Sequence, residues 1–181
     1  MAQGFSVTRK GLEAKFERGE VVLLRELIGD LLARLGDVQA EHQDPLVAMT
    51  GMSNAPVERP NDPIMARLFP DAHRSDPEAA DEFRRLADSD QKAGRRTAYL
   101  AVLEDLAQAA DGHVRLDRDG AEIWLRVIND LRLGTGTVAD VTEDWDHDVS
   151  TLAEDDPRAA FLHLYDWLTW LQSRLLGALT G

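Results

Sequence analysis

Aspartates in residues 144–148, which read DWDHD, are the densest group of side chains that could bind a metal ion. They occupy the first, third and fifth positions of a calcium-binding loop. Such a loop also needs glycine at its sixth position and a bidentate glutamate at its twelfth, and this chain has Val149 and Asp155 there. Because both of these geometrically demanding positions differ, we expect no metal ion at this segment.

The residue types that perform catalysis show none of the spacings that their chemistry requires. The five histidines form neither an H-x-x-x-H nor an H-E-x-x-H pair, so they predict no zinc site. There is no G-x-S-x-G motif. Gly134-Thr135-Gly136 lacks the lysine and the length of a phosphate-binding loop, so we interpret it as the end of a helix. These motifs therefore name no catalytic or cofactor-binding residue, and we expect no cofactor.

Cysteine is absent from all 181 residues. The chain therefore has no disulfide, no thiolate zinc site, no cysteine nucleophile and no thiol redox switch. Mild oxidation is left with the four methionines and with slower targets, which form no reversible covalent bridge. We expect no thiol-based response to peroxide.

Basic residues concentrate in one short segment of this acidic chain. They are Arg84, Arg85, Lys92, Arg95 and Arg96. On one helix they could form a stripe that binds phosphate groups. Aspartates at positions 81, 88 and 90 lie among them at spacings suited to ion pairs between successive helical turns. We therefore interpret the cluster as a solvated face whose charges are neutralised within the helix, with phosphate binding as the alternative.

An outward-facing tryptophan on the last predicted helix is the best candidate for contact with a partner. The apolar residues that share the core face of this helix are Phe161, Leu164, Tyr165, Leu168, Leu171 and Leu175. Trp170 falls on the opposite side, with Arg174 beside it and Trp167 at the edge of the same patch. Because exposed tryptophan is a favoured interface anchor, we predict that these three residues contact a partner. The alternative is that a loop of the same chain covers Trp170.

Hydrophobic periodicity predicts that helices position most of these residues. Spacings of three and four between apolar residues predict helices over about residues 20–35, 117–133 and 157–176. Residues 5–17 alternate apolar and polar side chains on both sides of Gly11 and predict a short β-hairpin. Val114 and Leu116 predict one further short extended segment. The predicted class is therefore mainly α, as a single compact helical domain with a short N-terminal β-hairpin.

The longest helical pattern, over residues 77–110, changes direction along its length. Phe83 lies on one side of the helix, whereas Tyr99 and Leu103 lie nearly opposite. One straight helix could not bury both sets against the same neighbour. We therefore predict a break within residues 89–94 and two helices.

At 181 residues the chain is long enough for one sizeable core and too short for two ordinary domains, so we predict one domain over residues 1–181. Residues 37–60 have no sustained periodicity and predict a flexible linker or loop, and residues 138–155 predict an acidic loop. Asp-Pro pairs indicate helix starts, because aspartate caps free backbone N–H groups and proline fits the first helical position. These pairs occur at residues 44–45, 62–63, 76–77 and 156–157.

Acidic residues outnumber basic ones by 33 to 20, which gives a net charge of -13. A field of that sign repels nucleic acid, so we expect no direct DNA binding, and it favours a protein partner with a basic surface. With 44% hydrophobic and 29% charged residues the composition is that of a soluble globular protein. No apolar run is long enough to span a membrane, and no secretory signal pattern opens the chain, so we expect a cytoplasmic protein.

Three stretches of sequence carry a resemblance to a known family. They are residues 61–72 (NDPIMARLFPDA), 75–86 (SDPEAADEFRRL) and 124–135 (WLRVINDLRLGT). The predicted hairpin and first helix add to the resemblance, and the last helix adds a weaker match. Together these features resemble an actinobacterial family first described as a domain of unknown function. That family is associated with AosR-type oxidative-stress transcription regulators.

The resemblance implies a helical regulator without enzymatic activity that acts through contact with proteins of transcription. Redox sensing in the family depends on cysteines, so that property does not carry over to a chain that has none. Our hypothesis is therefore a non-enzymatic protein-binding module linked to transcription under stress. Two alternatives stay open. One is a small-ligand-binding protein or enzyme whose pocket the sequence does not reveal, and the other is a structural homodimer.

Overall fold

The computed structural model describes residues 4–9, 11–36, 61–70, 77–109, 111–142 and 156–181, and for residues 77–89 the backbone alone. Within these ranges the chain forms three strands and five helices: β1 (Gly4–Thr8), β2 (Gly11–Lys15), α1 (Arg18–Leu35), α2 (Pro63–Leu68), α3 (Pro77–Gln108), β3 (His113–Leu116), α4 (Arg118–Val138) and α5 (Ala159–Thr180). The predicted mainly helical class is confirmed. The predicted linker at residues 37–60 lies outside the described residues, as do the DWDHD segment and the rest of residues 143–155.

The three strands form one antiparallel sheet in the order β1-β2-β3. Gly11 opens β2 with a φ of 116°, a conformation that other residues rarely adopt, and the hairpin places Val7 opposite Leu12. The predicted hairpin and the extended segment at Val114 and Leu116 are therefore confirmed. Periodicity did not reveal that β3 adds to β2 as a third strand, because the two strands are far apart in the chain.

Trp124 on α4 lies in the centre of the core and is 1% exposed. Its ring stacks on Phe16, with ring centroids 5.7 Å apart, and meets Phe5 edge to face at 5.6 Å. Its indole N–H donates a hydrogen bond of 2.7 Å to Asp105 on α3, which satisfies the one polar atom of the side chain. This residue therefore joins the hairpin, α3 and α4.

Two long helices, α4 and α5, pack along each other and carry much of the core. Burial is confirmed for Trp124, Val127, Ile128 and Leu131 of α4 and for Leu168, Leu171 and Leu175 of α5. Phe161, predicted on the same side of α5, is instead 42% exposed. The short helix α2 lies against α4, β1 lies against α5, and α1 packs against α3. The ends of α2, α4 and α5 are therefore close together, which positions one of the sites described below.

The third helix is continuous over 32 residues, so the predicted break within residues 89–94 is wrong. That prediction assumed that both apolar sets must face the same neighbour. A helix of this length extends about 48 Å, so its two ends need not meet the same elements. In the described part of the helix the buried side includes Tyr99, Val102 and Leu106.

The fourth helix passes through Gly134-Thr135-Gly136, so the interpretation of this segment as a helix end is wrong. Neighbouring elements approach the helix closely here. A Cβ atom at Gly134 would lie 3.3 Å from Ile64 of α2, and one at Gly136 would lie 3.0 Å from the ring of Tyr165 of α5. The low helix propensity of glycine is overridden because its small size lets α2 and α5 pack directly on α4.

The Asp-Pro pair at residues 62–63 starts α2, as predicted. The Asp62 carboxylate accepts hydrogen bonds from the N–H groups of Ile64 at 2.8 Å and Met65 at 3.4 Å. Two of the free N–H groups in the first turn are therefore satisfied. The pair at residues 156–157 stands just before α5.

Candidate functional site

One side of α5 is exposed around Trp170, as the helical periodicity indicates. The exposed residues on this side are His163, Asp166, Trp170, Ser173, Arg174 and Gly177. Trp170 is 39% exposed, although most of the large apolar residues of α5 are buried or half-buried. We refer to these six residues as the α5 face.

The backbone of β1 covers one edge of Trp170. Gly4 is buried and has a φ of 63°. A Cβ atom there would lie 2.8 Å from Cη2 of Trp170 and 3.3 Å from Cγ of Arg174. Because glycine leaves room for them, the indole ring and the aliphatic stem of Arg174 rest directly on this strand. The ring is supported by this strand, and Trp170 remains 39% exposed.

The three residues predicted to contact a partner lie close together on α5 but differ in exposure. Trp170 and Arg174 are exposed, whereas Trp167 is half-buried and packs against the hydrophobic core. Trp167 therefore anchors the helix and contributes only an edge to the α5 face. Surface area for binding comes mainly from Trp170 and Arg174.

Arg95 of the basic cluster does not lie on a solvated face. Its side chain is 22% exposed, and its Nε lies 3.1 Å from the carboxylate of Asp130, which is 2% exposed. Its Nη2 donates a hydrogen bond of 3.0 Å to the carbonyl of Leu68, and its guanidinium carbon lies 4.7 Å from the centroid of the Phe69 ring. Arg95 therefore links α3 to α4 and to the end of α2.

The rest of the basic cluster is distributed over different surroundings. Arg96 is half-buried, and its Nη1 donates a hydrogen bond of 3.0 Å to the carbonyl of Gly36 at the end of α1. Lys92 is also half-buried and takes part in an interaction within the chain. Arg84 and Arg85 lie on α3, but their side chains are outside the described part of the chain. The described members therefore form no basic stripe for binding phosphate groups.

Tyr99 completes a buried polar group with Arg95 and Asp130. The hydroxyl of Tyr99, which is 0% exposed, donates a hydrogen bond of 2.9 Å to Asp130. Burial and the nearby Asp130 charge raise the pKa of Tyr99 well above its usual range, so the hydroxyl keeps its proton. Burial also raises the pKa of Asp130, while Arg95 opposes this change. Neither of the cavities described next reaches the three side chains, so we interpret the group as structural.

A cleft of about 500 Å³ opens between α2, the end of α4 and α5. Arg67, Arg132 and Tyr165 are among its lining residues. The guanidinium carbon of Arg132 lies 5.4 Å from the centroid of the Tyr165 ring, and its Nη1 donates a hydrogen bond of 3.0 Å to the Tyr165 hydroxyl. Sequence reasoning missed this site because its residues come from separate stretches of the chain. The signal that could have pointed to it is the charge of Arg132 at the edge of an apolar helix face.

A second, mainly apolar cavity of about 270 Å³ lies between α1, α2, α4 and α5. Its walls include Leu27, Leu31, Ile64, Leu131 and Phe161. It has few polar groups that could orient a ligand, so it suggests no chemistry by itself.

No metal-binding cluster of histidine, aspartate or glutamate forms among the described residues. None of the helices in the described ranges combines the length and the apolar character needed to cross a membrane.

The family model described as "Domain of unknown function (DUF2017)" matches residues 2–179. The chain belongs to this family. The oxidative stress regulator AosR of Mycobacterium tuberculosis is 30% identical over 176 residues, which cover 90% of this chain and 79% of that protein. The protein of the same name from Mycobacterium bovis gives the same values, and a Mycobacterium leprae relative is 30% identical over 174 residues, 88% of this chain and 78% of its own length. No solved structure matches the chain. The resemblance drawn from residues 61–72, 75–86 and 124–135 is confirmed.

Proposed function

We propose that this chain is a non-enzymatic, stress-linked regulator that acts in the cytoplasm by binding a protein partner through the α5 face. The stress-linked role is supported by relatives that are named oxidative stress regulators. Protein contact is supported by Trp170, a large aromatic side chain that is 39% exposed on an otherwise polar surface.

The surroundings of Trp170 suit an interface anchor. Tryptophan is among the residues that contribute most to affinity when a partner buries them. Because β1 supports the ring at Gly4, binding would order few additional side-chain conformations. The neighbouring residues of the α5 face are polar, charged or glycine, as is common at the rim of an interface.

The charge of the chain constrains the chemistry of the partner. A net charge of -13 favours association with a basic surface and increases the rate of encounter with it. Arg174 stands beside Trp170 as a local positive charge, so an acidic group of the partner at this point would fix its orientation. We therefore expect a partner with an apolar pocket for Trp170 in a mainly basic surface.

The proposal is tested by measuring how variants of the α5 face capture proteins from an extract of the native host. Quantitative mass spectrometry should show that Trp170→Ala loses roughly tenfold or more of a specific binding partner, as expected for an interface anchor. Leu176→Ala is the matched control, because Leu176 is 49% exposed elsewhere on the same helix, and its capture should be unchanged.

A second variant separates binding from folding, since Trp170 also contacts β1. Arg174→Glu keeps the apolar contacts of α5 and reverses one exposed charge, so it should weaken capture without a large change in melting temperature. If Trp170→Ala and Arg174→Glu both capture the same proteins as the unaltered chain, the α5 face is not the binding surface.

A structural homodimer is the second candidate for the same face, because a two-fold axis could bring two copies of Trp170 together. Sedimentation velocity of the purified chain distinguishes the two. A dimer that Trp170→Ala dissociates would assign the face to self-association, whereas a monomer at all concentrations would leave a different protein as the partner.

A further inference from the structure

The cleft between α2, α4 and α5 contains two arginines that form no ion pair with any described residue. Arg67 on α2 is exposed, and Arg132 on α4 is half-buried. Leaving a partly buried guanidinium without a counter-ion costs free energy. The chain has a net charge of -13, yet no described acidic residue forms an ion pair with either arginine of this cleft.

Arg132 has hydrogen-bond donors that no described residue of the chain accepts. A guanidinium has five N–H groups, and one at Nη1 donates to the hydroxyl of Tyr165. Its Nε–H group is buried and donates to no acceptor among the described residues. The Tyr165 ring packs on α4 where a Cβ atom at Gly136 would lie 3.0 Å away, so it holds one side of the guanidinium in place. An oxyanion in the cleft would supply a counter-charge for Arg132 and acceptor atoms for its Nη groups, which have N–H groups beyond the one that donates to Tyr165.

Among the described residues that line the cleft, Asp140 is the one that is acidic. The pKa of Arg158 is raised mainly by its hydrogen bond to Asp156. The negative charge of Asp140 raises the same pKa by a smaller amount. Asp140 forms no ion pair with Arg67 or Arg132. The described lining residues therefore carry two positive charges and one negative charge.

We infer that this cleft binds a small organic anion with two negative charges, carried by a phosphomonoester or by two carboxylates. Arginine suits both groups because its planar guanidinium donates two parallel hydrogen bonds to either. The volume of about 500 Å³ is in the range of small-molecule sites. Leu133, Val141 and Pro63 provide apolar surface for a carbon skeleton. The cleft is distinct from the α5 face, so this ligand does not depend on the proposed protein partner.

Isothermal titration calorimetry of the full chain tests the inference with phenyl phosphate, succinate and inorganic phosphate as probes. At least one organic anion should bind more tightly than inorganic phosphate. Its affinity should fall about 10- to 100-fold in Arg132→Gln and in Arg67→Gln, the range expected when a charge-assisted hydrogen bond is lost. The stronger of the two organic probes identifies whether a phosphate ester or a dicarboxylate is the preferred class.

Arg118→Gln is the matched control, because Arg118 lies at the other end of α4 and pairs with Glu122. It removes the same charge from the chain and should leave the affinity unchanged. If neither organic anion binds at millimolar concentration, or if Arg118→Gln weakens binding as much as the cleft variants, the inference is wrong. Should Arg132→Gln fail to fold, Arg67→Gln at its exposed position decides the question.

Discussion

Replacing Asp130 with asparagine tests whether the buried group of Arg95, Tyr99 and Asp130 is structural. Asparagine keeps the size of the side chain and an oxygen that can accept the hydrogen bond of Tyr99, but it removes the negative charge. Arg95, 22% exposed, then stays at the same place as a cation without its counter-ion. The variant therefore isolates the charge of Asp130 from its shape.

Removal of one partner from a buried ion pair costs about 3–5 kcal/mol of the free energy of unfolding. Arg95 is partly exposed and keeps its hydrogen bond of 3.0 Å to the Leu68 carbonyl and its contact with Phe69. We therefore expect a loss near the lower limit, about 3 kcal/mol. For a chain of this length that loss lowers the melting temperature by roughly 6–12 °C.

Urea unfolding and thermal melting of Asp130→Asn, Arg95→Leu and the double variant measure the effect. The double variant should lose less stability than the sum of the two single variants, because either change alone breaks the same pair. Glu26→Gln, at an exposed position in the middle of α1, is the control for loss of an acidic charge and should change stability by less than about 0.5 kcal/mol. A loss for Asp130→Asn as small as that of the control would refute the structural role of the pair.

Gly136→Ala and Gly94→Ala each add a methyl group to a helix. At Gly136 the added methyl carbon would lie 3.0 Å from the ring of Tyr165, whereas at Gly94 it would meet open space. Gly94→Ala should raise the free energy of unfolding by about 1 kcal/mol, and Gly136→Ala should be less stable than Gly94→Ala by about 1–3 kcal/mol. Equal stabilisation in urea unfolding would contradict the close packing of α4 and α5. The stability of the chain at low pH depends in part on Asp62. Burial raises the pKa of Asp62, but hydrogen bonds from Arg34 and from backbone N–H groups of α2 outweigh burial. The pKa of Asp62 therefore lies below the usual 3.8. A carboxyl group whose pKa is lower in the folded state than in the unfolded state stabilises the folded state at pH values above its unfolded pKa. This stabilisation is lost as the pH falls through the folded pKa. Asp62→Asn, which keeps a capping side chain, should therefore lose less stability than the unaltered chain between neutral pH and about pH 2, and identical acid profiles would rule out this role.

Local sequence patterns predict the parts of the fold that depend on neighbours in the chain. The spacing of apolar residues predicts the hairpin around Gly11, most of the buried residues of α4 and α5, and the outward position of Trp170. The cap at Asp62 follows from a local pairing of residue types. Family membership is also readable from the sequence, because residues 61–72, 75–86 and 124–135 are recognisable without coordinates.

Tertiary structure alone decided the features that join distant segments. Glycine at positions 134 and 136 has a low helix propensity, and only the close approach of α2 and α5 shows that α4 continues through both. The ion pair between Arg95 and Asp130 spans 35 positions, and the cleft at Arg67 and Arg132 exists only where three helices meet. Periodicity reports which side of a helix is apolar, but not which element packs against it. A buried charge and its partner, or the walls of a cleft, are therefore set by packing between elements rather than by local sequence.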